Sequence, residues 1–231
     1  MTIKAIIFDV DGTLADTEDG HRQSFNRAFA ENDLDWNWNV ELYEKLLKVT
    51  GGKERIKYFI ESFLSGFSKP ADYDGFVNHL HAAKTRHYNT MLREGLIPLR
   101  PGIEKLIDHA RRRGTRLAIA TTTSPENVAT LLQQSFGADG ERIFEAIGCG
   151  DIVPHKKPAP DIYFWVLKKM DLSAADCIAL EDSENGLRAS LAAGIRTFVT
   201  PNRYTFNQNF AGATAVLDDL NKLPGLLFKQ P

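Results

Sequence analysis

The chain has 231 residues, of which 43% are hydrophobic and 25% charged, and its formal net charge is -2 at pH 7. This length allows one large domain, or a core domain with a smaller insertion. The near-neutral charge argues against binding of nucleic acid or of an anionic membrane surface. No apolar run approaches the ~20 residues that span a bilayer, so we expect no membrane partner.

The cysteines, Cys149 and Cys177, lie far apart in apolar surroundings and match no metal-binding spacing. Such residues are typical of a reducing compartment, in which buried thiols persist. We therefore expect a cytoplasmic protein, or one of the plastid stroma if the chain is a processed precursor. We expect a monomer by default.

Short β-rich apolar segments alternate with helical patterns over most of the chain. The predicted strands span residues 4–8, 116–120, 146–149, 177–180, 196–199 and 215–217. The predicted helices of this part span residues 102–113, 125–136, 160–170, 184–193 and 218–228. Such alternation indicates βαβ units and a parallel sheet covered on both faces. The expected fold class is α/β, with a Rossmann-like core.

Residues 17–96 differ from the rest because they contain almost no strand signal. They show four helical patterns, at residues 18–31, 40–48, 53–65 and 73–93. Pro98 and the Pro101-Gly102 pair mark the point where the chain returns to the α/β pattern. We therefore expect a core domain formed by residues 1–16 and 97–231, with an inserted all-helical cap domain at residues 17–96.

Polar side chains follow the predicted strands at the ends where an open parallel sheet binds ligands. In strand order they are Asp9 and Asp11; Thr121, Thr122, Thr123 and Ser124; Lys157; and Glu181 and Asp182. Each group alone has an ordinary explanation, such as a solvated turn or a helix cap. Together, each after its own strand, they predict one site.

Four carboxylates at one sheet edge repel one another unless a cation relieves them. Oxygen ligands with room for water and phosphate favour Mg²⁺. Asp9 suits a covalent nucleophile, since carboxylates form aspartyl-phosphate intermediates. Asp11 suits general acid–base catalysis, protonating a leaving sugar oxygen and then deprotonating water. We also expect Lys157 to bind phosphate or neutralise a carboxylate, and Thr121 to offer its hydroxyl and backbone N–H to phosphate.

The same residues resemble the four signature motifs of the haloacid dehalogenase superfamily, over the whole chain. The motifs are residues 6–13, the strand ending in Thr121, Lys157-Pro158-Ala159-Pro160-Asp161, and residues 180–183. The resemblance implies the nucleophile and acid–base roles given above, with the carbonyl of Asp11 and the carboxylate of Asp182 on Mg²⁺, supported by Glu181. It also implies that Thr121 and Lys157 hold the transferring phosphate. Dehalogenation is not expected, because it needs neither Mg²⁺ nor a proton for a leaving oxygen.

The predicted cap offers candidate substrate-binding residues at a helix start and on helix faces. Gly51, Gly52, Lys53, Glu54 and Arg55 follow Thr50 at the start of a helix, where free N–H groups favour an anion. An ordinary helix start with solvated basic residues explains this stretch equally well. The other candidates are Glu18 and His21, one turn apart, His81 and Lys84 on one helical face, and Tyr43.

These cap residues resemble those of the CbbY-type sugar phosphatases. That resemblance implies hydrolysis of the 1-phosphate of xylulose 1,5-bisphosphate and a link to carbon fixation in the Calvin cycle, with a small phosphorylated sugar as partner. The β-phosphoglucomutases share the core, the cap and a cap lysine, so a sugar phosphomutase stays open. A non-catalytic protein that binds phosphorylated ligands would be expected to lose Asp9 or Asp11, and both are present.

Overall fold

The computed structural model describes residues 3–49, 51–150 and 152–227. The chain forms two compact units. Residues up to Thr17 and those from Ile97 onward belong to the first unit, and Glu18–Leu96 form the second. In the described ranges, no helix is both long and apolar enough to cross a membrane.

The first unit is built on a six-stranded sheet in which every neighbouring pair of strands is parallel. In chain order the strands are β1 Ala5–Phe8, β2 Arg116–Ala120, β3 Ala146–Gly148, β4 Cys177–Glu181, β5 Arg196–Val199 and β6 Ala215–Val216. Their spatial order is β3-β2-β1-β4-β5-β6. This arrangement confirms the predicted α/β class with a Rossmann-like sheet.

The central strands are buried on both faces. Ile6 and Ile7 point to opposite sides of β1, and both are fully buried.

The described helices, in chain order, are α1 Thr17–Glu31, α2 Val40–Leu46, α3 Gly52–Phe63, α4 Tyr73–Arg93, α5 Ile103–Arg112, α6 Pro125–Phe136, α7 Asp161–Met170, α8 Glu184–Ala192 and α9 Leu223–Leu227. Of these, α7 packs Tyr163 and Val166 into the same buried cluster as Ile7.

Pairing register aligns the carboxyl ends of the central strands. Phe8, the last residue of β1, pairs with Ile119 of β2 on one side and with Leu180 of β4 on the other. The residues that follow these positions therefore leave the sheet at one level. This alignment brings distant parts of the sequence to a common edge.

The second unit contains the four helical patterns predicted between residues 17 and 96. An aromatic cluster holds them together: the Trp38 ring lies 4.5 Å from that of Phe25, 5.0 Å from Phe29 and 5.3 Å from Phe59, between ring centroids. Buried aromatic side chains of this size contribute much of the apolar surface that a small helical unit removes from water.

One predicted helix is wrong over most of its length. Instead of a helix at residues 218–228, the chain forms a turn followed by the short α9, and residue 228 lies outside the described residues. The side chain of Asp219 accepts from the backbone N–H of Asn221 at 2.8 Å, which favours the turn. Pro224 and Gly225 are also poor helix formers. The boundaries of the other elements agree with the prediction to within two residues.

Candidate active site

Three buried carboxylates meet at the carboxyl edge of the sheet. Asp9 directly follows β1, Glu181 is the last residue of β4, and Asp182 comes next. Each offers an oxygen within 4.8 Å of the others. Their exposed fractions are 7%, 1% and 4%, so little solvent screens their repulsion.

Lys157 supplies a positive charge to this cluster. Its Nζ lies 2.7 Å from Asp9 Oδ1 and 2.7 Å from Glu181 Oε1. Burial alone would lower the pKa of Lys157, but the two carboxylates outweigh that effect and raise it above its ordinary value. Lys157 is therefore a permanent cation that orients the Asp9 carboxylate.

Glu181 is buried, and two hydrogen-bond donors contact one of its carboxylate oxygens. Both Lys157 and the buried Tyr163 hydroxyl donate to Oε1. Oε2 is buried, and no donor from the described residues reaches it. Burial raises the pKa of Glu181 to about 7, against the opposing effect of Lys157. A carboxylate in this state has an oxygen left for a further cationic partner.

The cluster fits a hard divalent cation. Lys157 contacts two of the three carboxylates, all the possible metal ligands are oxygens, and no hydrogen-bond donor from the described residues reaches Glu181 Oε2. Of the four residues predicted to bind metal, the structure brings together the side chains of Asp9, Glu181 and Asp182. The Asp11 side chain is not in the cluster, and a contribution of its backbone carbonyl stays a prediction.

Asp11 is instead held by the loop that follows β2. The Thr123 hydroxyl donates a short hydrogen bond to Asp11 Oδ2. The Asp11 residue is half-buried, two positions after the nucleophile candidate. The next residue, Gly12, has a φ of 78°, a left-handed conformation that is unfavourable for a residue with a side chain. A half-buried carboxylate with a fixed orientation suits proton transfer to and from a substrate.

The other residues predicted to bind phosphate after β2 lie in the loop that leads into α6. Thr121 is buried, and its backbone N–H donates to Gly148 O at 2.9 Å, so the predicted use of this N–H for phosphate is wrong. The sheet pairing of β2 continues one residue further and occupies that group. Thr122 is exposed, and Ser124 caps α6 by accepting from the N–H of Asn127. Binding of substrate by the Thr121 hydroxyl, Thr122, Thr123 and Ser124 stays a prediction.

In the second unit, three of the predicted residues form a hydrogen-bonded chain. Arg55 donates to the Tyr43 hydroxyl at 2.9 Å, and that hydroxyl donates to Glu18 Oε2 at 3.1 Å. Arg55 also donates to the carbonyl of Val49 at 3.3 Å. Tyr43 is fully buried, whereas Glu18 and Arg55 are half-buried. A sugar cannot stack on the fully buried ring of Tyr43 in this arrangement, and a role of Tyr43 in substrate binding stays a prediction.

Two more predicted residues contact each other, His21 and Lys84. Lys84 Nζ lies 2.9 Å from His21 Nδ1 and packs over the rings of Phe25 and Tyr88. Burial, and then the charge of Lys84, lower the pKa of His21 well below its ordinary value, so the imidazole is neutral near pH 7. Because Nδ1 accepts from the ammonium group, the ring proton lies on Nε2.

The start of α3 carries the remaining cap candidates. Gly51 has a φ of 97°, and a Cβ on Gly52 would lie 2.6 Å from the His81 ring, so the glycine lets that ring approach. A Cβ on Gly51 would lie 2.2 Å from Glu54 Oε2, which places a carboxylate beside the helix start. Lys53 is exposed. Thr50 lies outside the described residues, and an anion site here stays a prediction.

Sequence reasoning missed Tyr163, Asn202 and Arg100. Tyr163 donates to Glu181, Asn202 Nδ2 lies 2.6 Å from Asp182 Oδ2, and Arg100 binds the carbonyl of Gly12. Asn202 follows β5, so the strand-end rule that found the other residues also applies to it. A polar tip on the buried face of α7 was the signal for Tyr163.

Comparison of the whole chain with known proteins shows the family to which it belongs. The family model of the haloacid dehalogenase-like hydrolases matches residues 3–194. This match covers well over half of the chain. The chain therefore belongs to the haloacid dehalogenase-like hydrolases.

Within that family, the chain is most informatively compared with three proteins. The plasmid protein CbbY of Cupriavidus necator is 50% identical over 218 residues, which are 94% of this chain and 86% of that protein. A mutant of CbbY from Rhodobacter sphaeroides, solved in complex with xylulose 1,5-bisphosphate, is 47% identical, has a TM-score of 0.84 and covers 96% of each chain. A putative β-phosphoglucomutase of Thermotoga maritima, 24% identical over 97% of this chain and 98% of its own, has a TM-score of 0.75 and shows the shared fold alone.

Proposed function

We propose that this chain is a Mg²⁺-dependent sugar phosphatase, and that it hydrolyses the 1-phosphate of xylulose 1,5-bisphosphate or of a similar sugar bisphosphate. The observation that carries the proposal is Asp9, buried against Lys157 within the carboxylate cluster. The CbbY relatives support the substrate class, since one of them was solved with this bisphosphate. A monomeric protein of the cytoplasm is part of the same proposal.

The first chemical step forms a bond between a carboxylate oxygen of Asp9 and phosphorus while the bond from phosphorus to the sugar oxygen breaks. Lys157 fixes the Asp9 carboxylate and offsets negative charge as the transfer proceeds. Protonated Asp11, oriented by Thr123, gives its proton to the leaving sugar oxygen. The products of this step are the dephosphorylated sugar position and an aspartyl-phosphate.

The second step reverses the role of Asp11. Its carboxylate takes a proton from water, the water oxygen attacks phosphorus, and the bond to Asp9 breaks to release inorganic phosphate. Asp9, Glu181 and Asp182 would hold the metal, with the Asp11 carbonyl as the family resemblance implies. When bound, Mg²⁺ supplies positive charge to the carboxylates and to the transferring phosphate oxygens.

For substrate selection, we assign the second phosphate of the substrate to the start of α3. Lys53 is an exposed cation, Arg55 is half-buried, and the helix dipole adds positive potential at this end. The neutral His21, and Glu18 held by the Tyr43 hydroxyl, would contact sugar hydroxyls. Such contacts are remote from the reacting bond and can be used to orient the substrate.

The decisive assay measures inorganic phosphate released from a panel of sugars carrying one or two phosphates, in Mg²⁺ and in EDTA. We expect release that depends on Mg²⁺ and is fastest with a bisphosphate. The Asp9→Asn variant should release none while still folding, since an amide is not a nucleophile. Turnover by Asp9→Asn would refute the covalent mechanism. Isomerisation of glucose 1-phosphate faster than any phosphate release would replace the phosphatase with a mutase.

A second assay tests the assignment at α3. A charge-assisted contact to phosphate contributes about 1.5–3 kcal/mol. Lys53→Ala should therefore lower kcat/KM for the bisphosphate by roughly 10- to 150-fold, since 1.36 kcal/mol is tenfold. Arg55→Ala should do the same, and a sugar with one phosphate should be barely affected. Lys57→Ala is the matched control, because this exposed lysine of α3 pairs with Asp74. Equal losses on both substrates would give the segment a structural role.

A further inference from the structure

Asp182 accepts a hydrogen bond from a side chain of the loop that follows β5. Its buried Oδ2 accepts from Asn202 Nδ2 at 2.6 Å. The carbonyl oxygen of the same amide accepts from the backbone N–H of Tyr204 at 2.8 Å. That second bond settles which end of the amide is the donor, so the NH₂ group must face Asp182. Asn202 thus presents a donor of fixed direction to the carboxylate.

The Asn202–Asp182 pair lies directly on the backbone of the nucleophile loop. A Cβ on Gly12 would be 2.3 Å from Asp182 Oδ2 and 2.4 Å from Asn202 Nδ2. These distances are far below van der Waals contact, so the pair occupies the space that a side chain at residue 12 would fill. Movement of this loop and movement of Asp182 are therefore coupled.

Arg100 connects the same two loops from their backbones. Its guanidinium group donates to the carbonyls of Gly12 and Thr200 at 2.5 Å each, and to that of Pro201 at 3.0 Å. Gly12 belongs to the loop after β1, and the other two acceptors precede Asn202 in the loop after β5. A planar guanidinium group holds its acceptors in fixed directions, which the rotatable donors of a lysine on a flexible side chain do not.

We infer that Asn202 and Arg100 are positioning residues for the metal site: together they hold Asp182 and the Gly12 backbone in the arrangement that binds the divalent cation. The inference rests on the proposed function, because it takes the carboxylate cluster as the cation site. Without Asn202, Asp182 Oδ2 loses a donor of fixed direction, so the carboxylate is held less firmly towards Asp9 and Glu181. Without Arg100, the loop that carries Asn202 is no longer tied to the nucleophile loop.

The test measures cation binding directly, without substrate. Free Mn²⁺ is followed by electron paramagnetic resonance during titration of the wild-type protein and of Asn202→Ala. We expect Asn202→Ala to weaken Mn²⁺ binding roughly 10- to 100-fold, as loss of a residue that orients a metal ligand does. Asn207→Ala, an exposed residue of the same loop, is the matched control and should bind as the wild type does. Unchanged Mn²⁺ affinity in folded Asn202→Ala would overturn the inference.

Arg100→Lys keeps the charge and provides a second test if Asn202→Ala does not fold. We expect it to weaken Mn²⁺ binding about 10-fold, with kcat falling at limiting Mg²⁺ and recovering at saturating Mg²⁺. Loss of kcat that excess Mg²⁺ does not restore, with unchanged Mn²⁺ affinity, would overturn the role of Arg100. Wild-type protein that binds no Mn²⁺ would overturn the whole inference. Mn²⁺ binding with no phosphate release would refute the proposed function and leave the inference standing.

Discussion

Replacing Lys157 by Met tests the electrostatics of the site in the metal-free protein. Lys157 has only 8% of its side chain exposed and contacts two carboxylates at 2.7 Å. Methionine keeps much of the side-chain volume and removes the charge. Removing one partner of a buried ion pair costs about 3–5 kcal/mol, because the charge left behind is uncompensated. At about 2–4 °C per kcal/mol for a chain of this size, the melting temperature should fall by roughly 6 to 20 °C.

The stability difference between Lys157→Met and the wild type should depend on pH, whereas a difference caused by lost packing alone would not. In the wild type, the Glu181 pKa is raised from 4.5 to about 7, so its contribution to stability is fully present below pH 4.5 and is lost as the pH rises through about 7. Without Lys157 the pKa of Glu181 should rise further. The difference between variant and wild type should therefore be largest at about pH 8 and smaller at about pH 5, where Glu181 is protonated in both.

The assay is thermal unfolding followed by circular dichroism in EDTA at both pH values, repeated with Mg²⁺ at the higher pH. Mg²⁺ should raise the melting temperature of Lys157→Met more than that of the wild type, because the cation replaces the missing charge. Lys156→Met, at an exposed position next in sequence, should stay within about 0.5 kcal/mol of the wild type. A loss of the same size at both pH values would refute the electrostatic reasoning.

Three further changes test other parts of the site. Asp11→Asn should lower kcat for phosphate release by roughly 10²- to 10⁴-fold at unchanged melting temperature, and an unchanged kcat would remove Asp11 from acid–base catalysis. Gly12→Ala should cost about 1–3 kcal/mol in urea unfolding from its φ of 78° alone, with more from overlap with Asp182; wild-type stability would contradict this reading of the loop. Gly186→Ala would place a Cβ 1.8 Å from Glu181 Oε2, so phosphate release should require more Mg²⁺, and an unchanged requirement would count against Glu181 as a ligand.

The sequence could predict the sheet and most of the carboxylate site because both depend on local patterns. Short apolar strands that end in polar residues can be recognised in the sequence, and the carboxyl ends of parallel strands lie at one edge of the sheet. Pairing of Phe8 with Leu180 then brings Asp9 near Asp182 without any further information. The fold class, the three buried carboxylates and Lys157 all follow from this rule.

What the sequence could not provide was the hydrogen-bonding state of each group. The N–H of Thr121 looked available for phosphate, but the sheet continues to use it, bonded to Gly148. Asn202 reaches Asp182 through a loop conformation that no periodic pattern specifies. The helix predicted at residues 218–228 failed for a similar reason, because a side-chain bond from Asp219 competes with the backbone.

The two units differ in how their candidate residues are held, and the difference bears on their roles. In the first, Lys157 contacts buried carboxylates, so the groups proposed for catalysis have fixed charge and direction before substrate arrives. In the second, Arg55 contacts a phenol hydroxyl and Lys84 contacts a neutral imidazole. A phosphate oxygen can replace these neutral partners, because a charged acceptor forms the stronger hydrogen bond with a cation. Preorganised charge is what lowers a barrier, whereas exchangeable neutral contacts allow a ligand to be bound and released. Changes at the first set should therefore act mainly on kcat, and changes at the second mainly on kcat/KM for substrates with two phosphates.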